Sequence, residues 1–150
     1  MDISIREGTE DDIDAMQRLC KEVDALHCQA LPHVFRQPDG PPRTEEFFHE
    51  ILSGEDAVLL IAEREGRVVG FAHVAIREAS DFPVLVPRRY AALRDIVVTA
   101  DCRRAGIGAA LVDEAQMELN VWEFNENAIA FYKDLGYETA GRKMWKELAE

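Results

Sequence analysis

The spacing of apolar residues over the first third of the chain predicts a strand followed by two helices. Alternation over 3–5 is typical of a short strand. Apolar residues then recur every three or four positions over 13–27, which predicts an amphipathic helix. The segment 29–43 contains four prolines and is expected to be mostly loop. A second helix is predicted over 44–53.

Three strands are predicted for the middle of the chain. Two strongly apolar runs, over 57–63 and 67–76, flank a Glu-Gly turn, which is the pattern of a β-hairpin. A segment over 81–88 with two prolines predicts a loop. A third strand is predicted over 90–98.

Helix and strand alternate in the last third. We expect a helix from 106, a strand over 117–122, a helix over 128–135 and a final strand over 137–148. The complete order predicts a mixed α/β or α+β sheet built around one β–α–β unit. At 150 residues, without a repeat or a linker, the chain is expected to form a single domain.

The net charge of the chain limits the classes of partner that it is expected to bind. The chain contains 17 Lys and Arg residues and 29 Asp and Glu residues, so its formal net charge is −12. This charge argues against nucleic acid or an anionic membrane as the main partner and is compatible with a cationic substrate. Apolar runs stay well below the ~20 residues of a membrane span.

The cysteines and the residues at the beginning of the chain indicate the cellular compartment. Three cysteines (Cys20, Cys28 and Cys102) are an odd number without a Cys-x-x-Cys pair, which favours reduced thiols. The beginning of the chain lacks the basic and apolar regions of a signal peptide. We therefore expect a cytoplasmic protein.

The clearest chemical signal follows the predicted strand 90–98. Gly106 and Gly108 permit a tight turn that exposes backbone N–H groups at a helix N-terminus, where an anion is favoured. Arg103 and Arg104 add positive charge, so phosphate or pyrophosphate is the expected ligand. The alternative to an anion-binding site is a glycine-rich turn without a ligand that lies beside surface arginines. A dinucleotide-binding oxidoreductase is disfavoured because the third glycine is missing and the run comes late in the chain.

Two motifs together resemble the GCN5-related N-acetyltransferase (GNAT) family. Arg103, Gly106 and Gly108 match its Arg/Gln-x-x-Gly-x-Gly/Ala motif after the central strand. The run from Asn125 to Tyr137 matches its Asn-x-x-Ala-ϕ-x-Phe-Tyr-x-x-x-Gly-Phe/Tyr motif. The resemblance covers nearly the whole chain. It implies one N-acetyltransferase domain over residues 1–150, with a mixed, mostly antiparallel sheet splayed around the cofactor and helices on both faces.

The resemblance also implies acetyl-CoA as co-substrate, without a metal. The pantetheine would pair with the strand residues Ile96, Val97 and Val98, and Asn125 would contact the cofactor arm unless it is a plain helix cap. The pyrophosphate cradle would consist of Arg103, Arg104, Ala105, Gly106, Ile107, Gly108 and Ala109.

Catalysis by this family needs an acid for the leaving sulfur and a base for the amine. Tyr132 matches the usual general acid, although a tyrosine packed in the core is the alternative. Asp95, Glu78 and His73 are the candidates for the base, acting directly or through water. Asp95 could instead form a structural pair with a neighbouring arginine, Arg94 or Arg104.

We therefore expect an acetyl-CoA-dependent N-acetyltransferase that works by direct transfer in a ternary complex, since a nucleophile–base pair is not evident. The acceptor would be a small-molecule or peptide amine, with a pocket shaped by the loops 29–43 and 81–88. Neither nucleic acid nor a membrane is expected as partner, and a homodimer is left open. A non-catalytic acyl-CoA-binding or sensor domain is the alternative.

One departure from the family pattern concerns the crossover after the central strand. Only residues 99–116 separate this strand from the next, which is short for a loop, a returning helix and a turn. Either 117–120 extend the helix and leave a short strand over 121–124, or the expressed protein contains a further segment near Gln116. The clean alternation over 117–122 favours the second explanation.

Overall fold

The chain divides into two compact units, Met1–Asn120 and Val121–Glu150. The structure, a computed structural model, describes residues 2–102, 106, 108 and 117–148. The helices and strands of the first unit are β1 (Ile3–Glu7), α1 (Ile13–Ala30), α2 (Glu45–Ser53), β2 (Ala57–Arg64), β3 (Arg67–Glu78), β4 (Arg89–Val98) and β5 (Met117–Leu119). The second unit contains α3 (Glu126–Asp134).

The five strands form one sheet in the order β1-β2-β3-β4-β5. The first three pairings are antiparallel, and β5 lies parallel to β4. This arrangement confirms the predicted mixed, mostly antiparallel sheet. The β2–β3 turn places Glu65 and Gly66 at positive φ, as a tight hairpin turn requires.

The apolar stripe of α1 forms the centre of the core, as its spacing predicts. Helix α2 adds Phe48, and the sheet contributes residues from β2, β3 and β4. The most deeply buried members are Met16, Leu19, Cys20, Phe48, Ile61 and Phe71. Helices α1 and α2 therefore cover one face of the sheet, and side chains that point to this face from β3 and β4 meet α1.

Two predicted segments differ from the structure. Residues 117–119 are strand, as predicted, although this strand is shorter than the predicted 117–122, and the alternative in which 117–120 extend a helix is wrong. The predicted strand over 137–148 is also wrong, because this segment has no regular structure. Alternation gives a segment two faces, but a strand also needs a ladder of hydrogen bonds to a neighbouring strand, and within the described residues the sheet consists of β1 to β5 alone.

A β-bulge interrupts β4. Asp95 pairs with His73 on β3, whereas the next β3 residue, Val74, pairs with Leu93. Arg94 is therefore an extra residue in β4 without a partner in the β3 register. A bulge of this kind redirects the side chains around it, and bulges are common beside active sites.

Candidate active site

Strand β4 continues beyond its parallel neighbour. The pairing with β5 covers Ala91–Leu93, where Ala91 faces Met117 and Leu93 faces Leu119. On its other side β4 stays paired with β3 as far as Val98. In the described residues, β5 thus leaves the edge of β4 uncovered opposite Ile96 and Val97. An extended chain that carries amide groups can pair with such an edge.

The loop after β4 begins with a contact to α1. The Thr99 hydroxyl donates to Glu22 Oε1 over 3.2 Å, and the Ala100 backbone N–H donates to Glu22 Oε2 over 3.3 Å. Glu22 therefore fixes the point at which the chain leaves the sheet for the glycine-rich run.

Two residues of the predicted cradle lie within the described part of the chain. Gly106 has φ +81° with open space where a side chain would begin, and Gly108 is half-buried. A left-handed conformation at Gly106 fits the tight turn that the sequence predicts. The other predicted cradle residues lie outside the described residues: Arg103, Arg104, Ala105, Ile107 and Ala109.

Asp95 belongs to a network of charged side chains on the α1 face of the sheet. Its Oδ2 lies 3.6 Å from His73 Nδ1, and its Oδ1 lies 3.5 Å from a guanidinium nitrogen of Arg43. Arg43 also donates to both carboxylate oxygens of Asp24 on α1, at 3.0 and 3.1 Å. The Arg43 carbonyl accepts from Gln17 Nε2 over 2.9 Å. The end of the 29–43 loop is thereby fastened to α1 and to β4.

This network keeps the Asp95 carboxylate charged. Burial acts to raise the pKa of Asp95, but the His73 imidazole and the positive charges of Arg43 and Arg94 outweigh it and lower the pKa below its ordinary value. Although burial disfavours its charge, the carboxylates of Asp24 and Asp95 raise the pKa of Arg43. An ionised carboxylate with a lowered pKa is a weak proton acceptor near neutral pH. Asp95 is therefore better suited to orient a partner than to take a proton.

The other predicted carboxylate lies elsewhere on the sheet. Glu78 is the last residue of β3, is exposed, and faces Arg89 in the β3–β4 register. His73 lies five positions earlier on the same strand, opposite Asp95. The structure thus brings Asp95 and His73 together but does not bring Glu78 to them.

Asn125 caps α3 in the second unit. Its side-chain oxygen accepts from the Ala128 backbone N–H over 3.2 Å, which is the geometry of a helix cap. The cap uses the oxygen of the amide, and the amide nitrogen can still donate to another group. Capping and contact with a cofactor are compatible for this side chain.

Tyr132 is buried in α3. Its ring makes edge contacts with Phe131, at a centroid distance of 5.2 Å, and with Tyr137, at 5.7 Å. Burial raises the pKa of Tyr132 to about 12, with a smaller contribution from Tyr137. The phenol therefore keeps its proton at neutral pH, as a general acid must before the leaving group departs.

Sequence reasoning missed the role of Arg43. It offers Arg94 or Arg104 as possible structural partners of Asp95, and Arg104 lies outside the described residues. Within those residues the arginine that forms an ion pair with Asp95 is Arg43, 52 positions away in sequence. A lone arginine at the end of a proline-rich loop carries no local signal of such a partner.

Residues 2–102, 106, 108 and 117–148 contain no group of three or more His, Cys, Asp or Glu side chains arranged to hold a metal ion. Among the helices of the same residues, none is both long and apolar enough to cross a membrane.

The chain belongs to the acetyltransferase (GNAT) family. Residues 55–139 match the family described as "Acetyltransferase (GNAT) domain", a region that includes β2 to β5, the glycine-rich run and α3. The match confirms the family to which the two motifs point and the prediction of an N-acetyltransferase.

One curated relative and two solved structures illustrate what this chain is similar to. The "5-NmdU N-acetyltransferase" of Pseudomonas phage PaMx11 is 29% identical over 116 residues, covering 69% of this chain and 77% of its own. A mutant of the Bacillus halodurans protein BH1408 has a similar fold, with a TM-score of 0.91, 24% identity, and coverage of 97% of this chain and 99% of that one. AAC(6')-Iy in complex with the bisubstrate analogue CoA-S-monomethyl-acetylneamine has a TM-score of 0.75 at 19% identity, with 99% of each chain covered.

Proposed function

We propose that this protein transfers the acetyl group of acetyl-CoA to a primary amine by direct attack in a ternary complex. The observation that carries the proposal is the edge of β4 at Ile96 and Val97, which β5 leaves uncovered in the described residues and which follows Asp95 along the chain and precedes the glycine-rich run. The complex of AAC(6')-Iy with an analogue built on CoA supports a cofactor of this class for the fold.

The cofactor residues that the motifs suggest are retained in this proposal. Ile96, Val97 and Val98 would pair with the pantetheine amides, and Asn125 would donate to the cofactor arm. The backbone of the run from Arg103 to Ala109 would hold the pyrophosphate, whose charge suits a helix N-terminus. When bound, acetyl-CoA supplies an activated acyl group with a thiolate as leaving group.

Direct transfer requires two proton movements. The acceptor ammonium must first lose a proton, because a protonated amine has no free electron pair for attack. The nitrogen then forms a bond to the thioester carbon, the C–S bond breaks, and Tyr132 gives its proton to the departing thiolate. The second proton lost by nitrogen restores Tyr132 through solvent, so one net proton is released. Asp95, Glu78 and His73 are the groups considered for the first step.

We propose a cationic small molecule as the acceptor. A net charge of −12 attracts a cation and repels a nucleic acid backbone. AAC(6')-Iy is an aminoglycoside N-acetyltransferase, which makes polycationic amines a reasonable class to test. The same net charge disfavours an acceptor that is carried on a nucleic acid. A peptide amine stays within the proposal as a second class of acceptor.

The wider setting is proposed on the same basis. We propose that residues 1–150 act as one catalytic domain in the cytoplasm, without a metal. Cys20, Cys28 and Cys102 are all free thiols, as a reducing compartment requires. A homodimer stays a prediction, which sedimentation velocity would test.

The decisive experiment measures thiol release from acetyl-CoA in the presence of a panel of amines. The panel contains aminoglycosides, polyamines, amino acids, a peptide with a free N-terminus, and an oligonucleotide that carries an aliphatic amine. We expect turnover with a cationic small molecule and none with the oligonucleotide. Acetyl-CoA binding without turnover for any amine would favour the acyl-CoA-binding or sensor alternative.

A further inference from the structure

An imidazole–carboxylate pair spans β3 and β4 at the bulge. His73 Nδ1 and Asp95 Oδ2 are 3.6 Å apart, slightly beyond a direct hydrogen bond. Such distances are common in ligand-free sites and shorten when substrate binds. A His side chain that is 13% exposed is shielded from bulk water but can still be reached.

The pair lies next to the edge where the cofactor arm is proposed to bind. β5 faces β4 as far as Leu93, and Asp95 follows two residues later, after the bulged Arg94. An extended arm that runs back along β4 from Thr99 reaches Asp95 after about 13 Å, at the usual rise of a strand. The reacting end of the arm would therefore lie beside the pair.

We propose that His73 is the base that deprotonates the acceptor amine, and that Asp95 is a positioning residue that holds the imidazole in the required tautomer. This proposal rests on the proposed function. A carboxylate can only accept a hydrogen bond, so Asp95 fixes the proton of His73 on Nδ1 and leaves the electron pair on Nε2.

Arg43 explains the division of roles within the pair. Its guanidinium neutralises Asp95 and is itself paired with Asp24 on α1. The carboxylate therefore stays ionised, and it stabilises the imidazolium that forms when His73 takes a proton.

Three other charged or titratable side chains face the pair. From α1 come Cys20 and Asp24, and from β4 comes Arg94. Burial raises the pKa of Cys20 to about 12, so this thiol stays neutral. Asp24 stays paired with Arg43. Imidazole is the one side chain in this cluster whose ordinary chemistry suits proton exchange at neutral pH.

In the proposed step, Nε2 of His73 takes one proton from the acceptor ammonium, which leaves a neutral amine and an imidazolium. The amine then forms the C–N bond, and the imidazolium returns its proton to solvent before the next cycle. Nothing is oxidised or reduced in this step, and the charge of the ammonium passes to His73.

The test compares His73→Gln with His49→Gln, a matched change at an exposed histidine of α2 that pairs with Glu10. We expect His73→Gln to lower kcat by about 100-fold or more, the usual contribution of a positioned base. Its KM for acetyl-CoA and its melting temperature should stay near the wild-type values. His49→Gln should keep wild-type kcat.

The pH profile separates a proton acceptor from a structural residue. Wild type should lose kcat/KM at acidic pH more steeply than titration of the amine explains, and His73→Gln should follow the amine alone. Imidazole added to His73→Ala should restore part of the rate. An unchanged profile together with absence of rescue would overturn the proposal.

Asp95→Asn provides a second route should the His73 variants fold poorly. An asparagine of nearly the same shape can donate to Nδ1, which favours the wrong tautomer, so we expect kcat to fall at least about tenfold. Wild-type kcat in this variant would overturn the positioning role. If the wild-type protein acetylates no amine, both the proposed function and the assignment of His73 as the base are wrong. If the wild-type protein acetylates an amine and His73→Gln is fully active, only the assignment of His73 is wrong.

Discussion

The environment of Tyr132 determines how it can act. A buried phenol whose pKa is raised to about 12 keeps its proton throughout the usual assay range. Tyr132 therefore still carries the proton that it donates when negative charge develops on the leaving sulfur.

Tyr132→Phe removes one hydroxyl and little volume. We expect kcat to fall by about 100-fold or more while the Kd of acetyl-CoA stays nearly unchanged, the pattern of an interaction made in the transition state. Because the acid form persists until pH approaches 12, loss of the Tyr132 proton should cause no fall in wild-type kcat below about pH 10. Tyr137→Phe is the matched control. Full activity of Tyr132→Phe would assign this residue to the core.

Gly108 tests the proposed pyrophosphate cradle. Aspartate at this position adds volume and a negative charge where phosphate is proposed to bind. A ligand that binds the native state alone raises its melting temperature, so acetyl-CoA should raise the Tm of wild type and not that of Gly108→Asp. Gly141→Asp, in an exposed segment, should keep the shift. An equal shift in both variants would show that the cradle lies elsewhere.

At the scale of elements, the predictions succeed where one local pattern determines the structure. The stripe of α1, the β2–β3 hairpin and strand β4 follow the periodicity of their own residues. The segment 137–148 alternates as well but forms no strand, because strand formation depends on a neighbour that alternation does not supply. The bulge at Arg94 and the link from Arg43 to Asp95 depend on register and on distant contacts. The motifs therefore reveal the glycine turn and Tyr132, while the network around Asp95 appears only in three dimensions.

The junction between β1 and α1 depends on a buried carboxylate. Arg6 donates to both oxygens of Asp12 at 2.8 Å, and the Thr9 backbone N–H donates to Oδ2 over 2.8 Å. These contacts, the Arg6 hydrogen bonds first, lower the pKa of Asp12. Asp12→Asn weakens them, and we expect the free energy of unfolding at pH 7 to fall by about 1–3 kcal/mol.

The sign of the pH effect at Asp12 follows from the lowered pKa. The stabilising contribution is complete above the ordinary carboxyl range near 4 and is lost as pH falls through the lower native value. In urea unfolding, the difference in free energy of unfolding between wild type and Asp12→Asn should therefore disappear below about pH 4. Asp11→Asn, at an exposed neighbour, should show no such gap. A gap that persists at low pH would argue against the charged pair.

The short crossover between β4 and β5 leads to a direct measurement. The structure removes the alternative in which 117–120 are helix, so a further segment near Gln116 in the expressed protein stays a prediction. Mass spectrometry should then give an intact mass above 16.9 kDa after allowance for tags, whereas agreement with this value would dismiss the idea.

At the scale of the whole molecule, the net charge of −12 affects how an acceptor arrives. Charges of one sign attract an oppositely charged substrate over distances of about 10 Å at 0.1 M salt, and added salt screens this attraction. We expect kcat/KM for a polycationic amine to fall several-fold between about 0.02 and 0.5 M sodium chloride. A small monoamine should lose much less. The Kd of acetyl-CoA, measured at each salt concentration, separates an effect on the acceptor from one on the cofactor. If kcat/KM depends equally on salt for both amines, after correction for that Kd, the negative net charge contributes to solubility and not to acceptor capture.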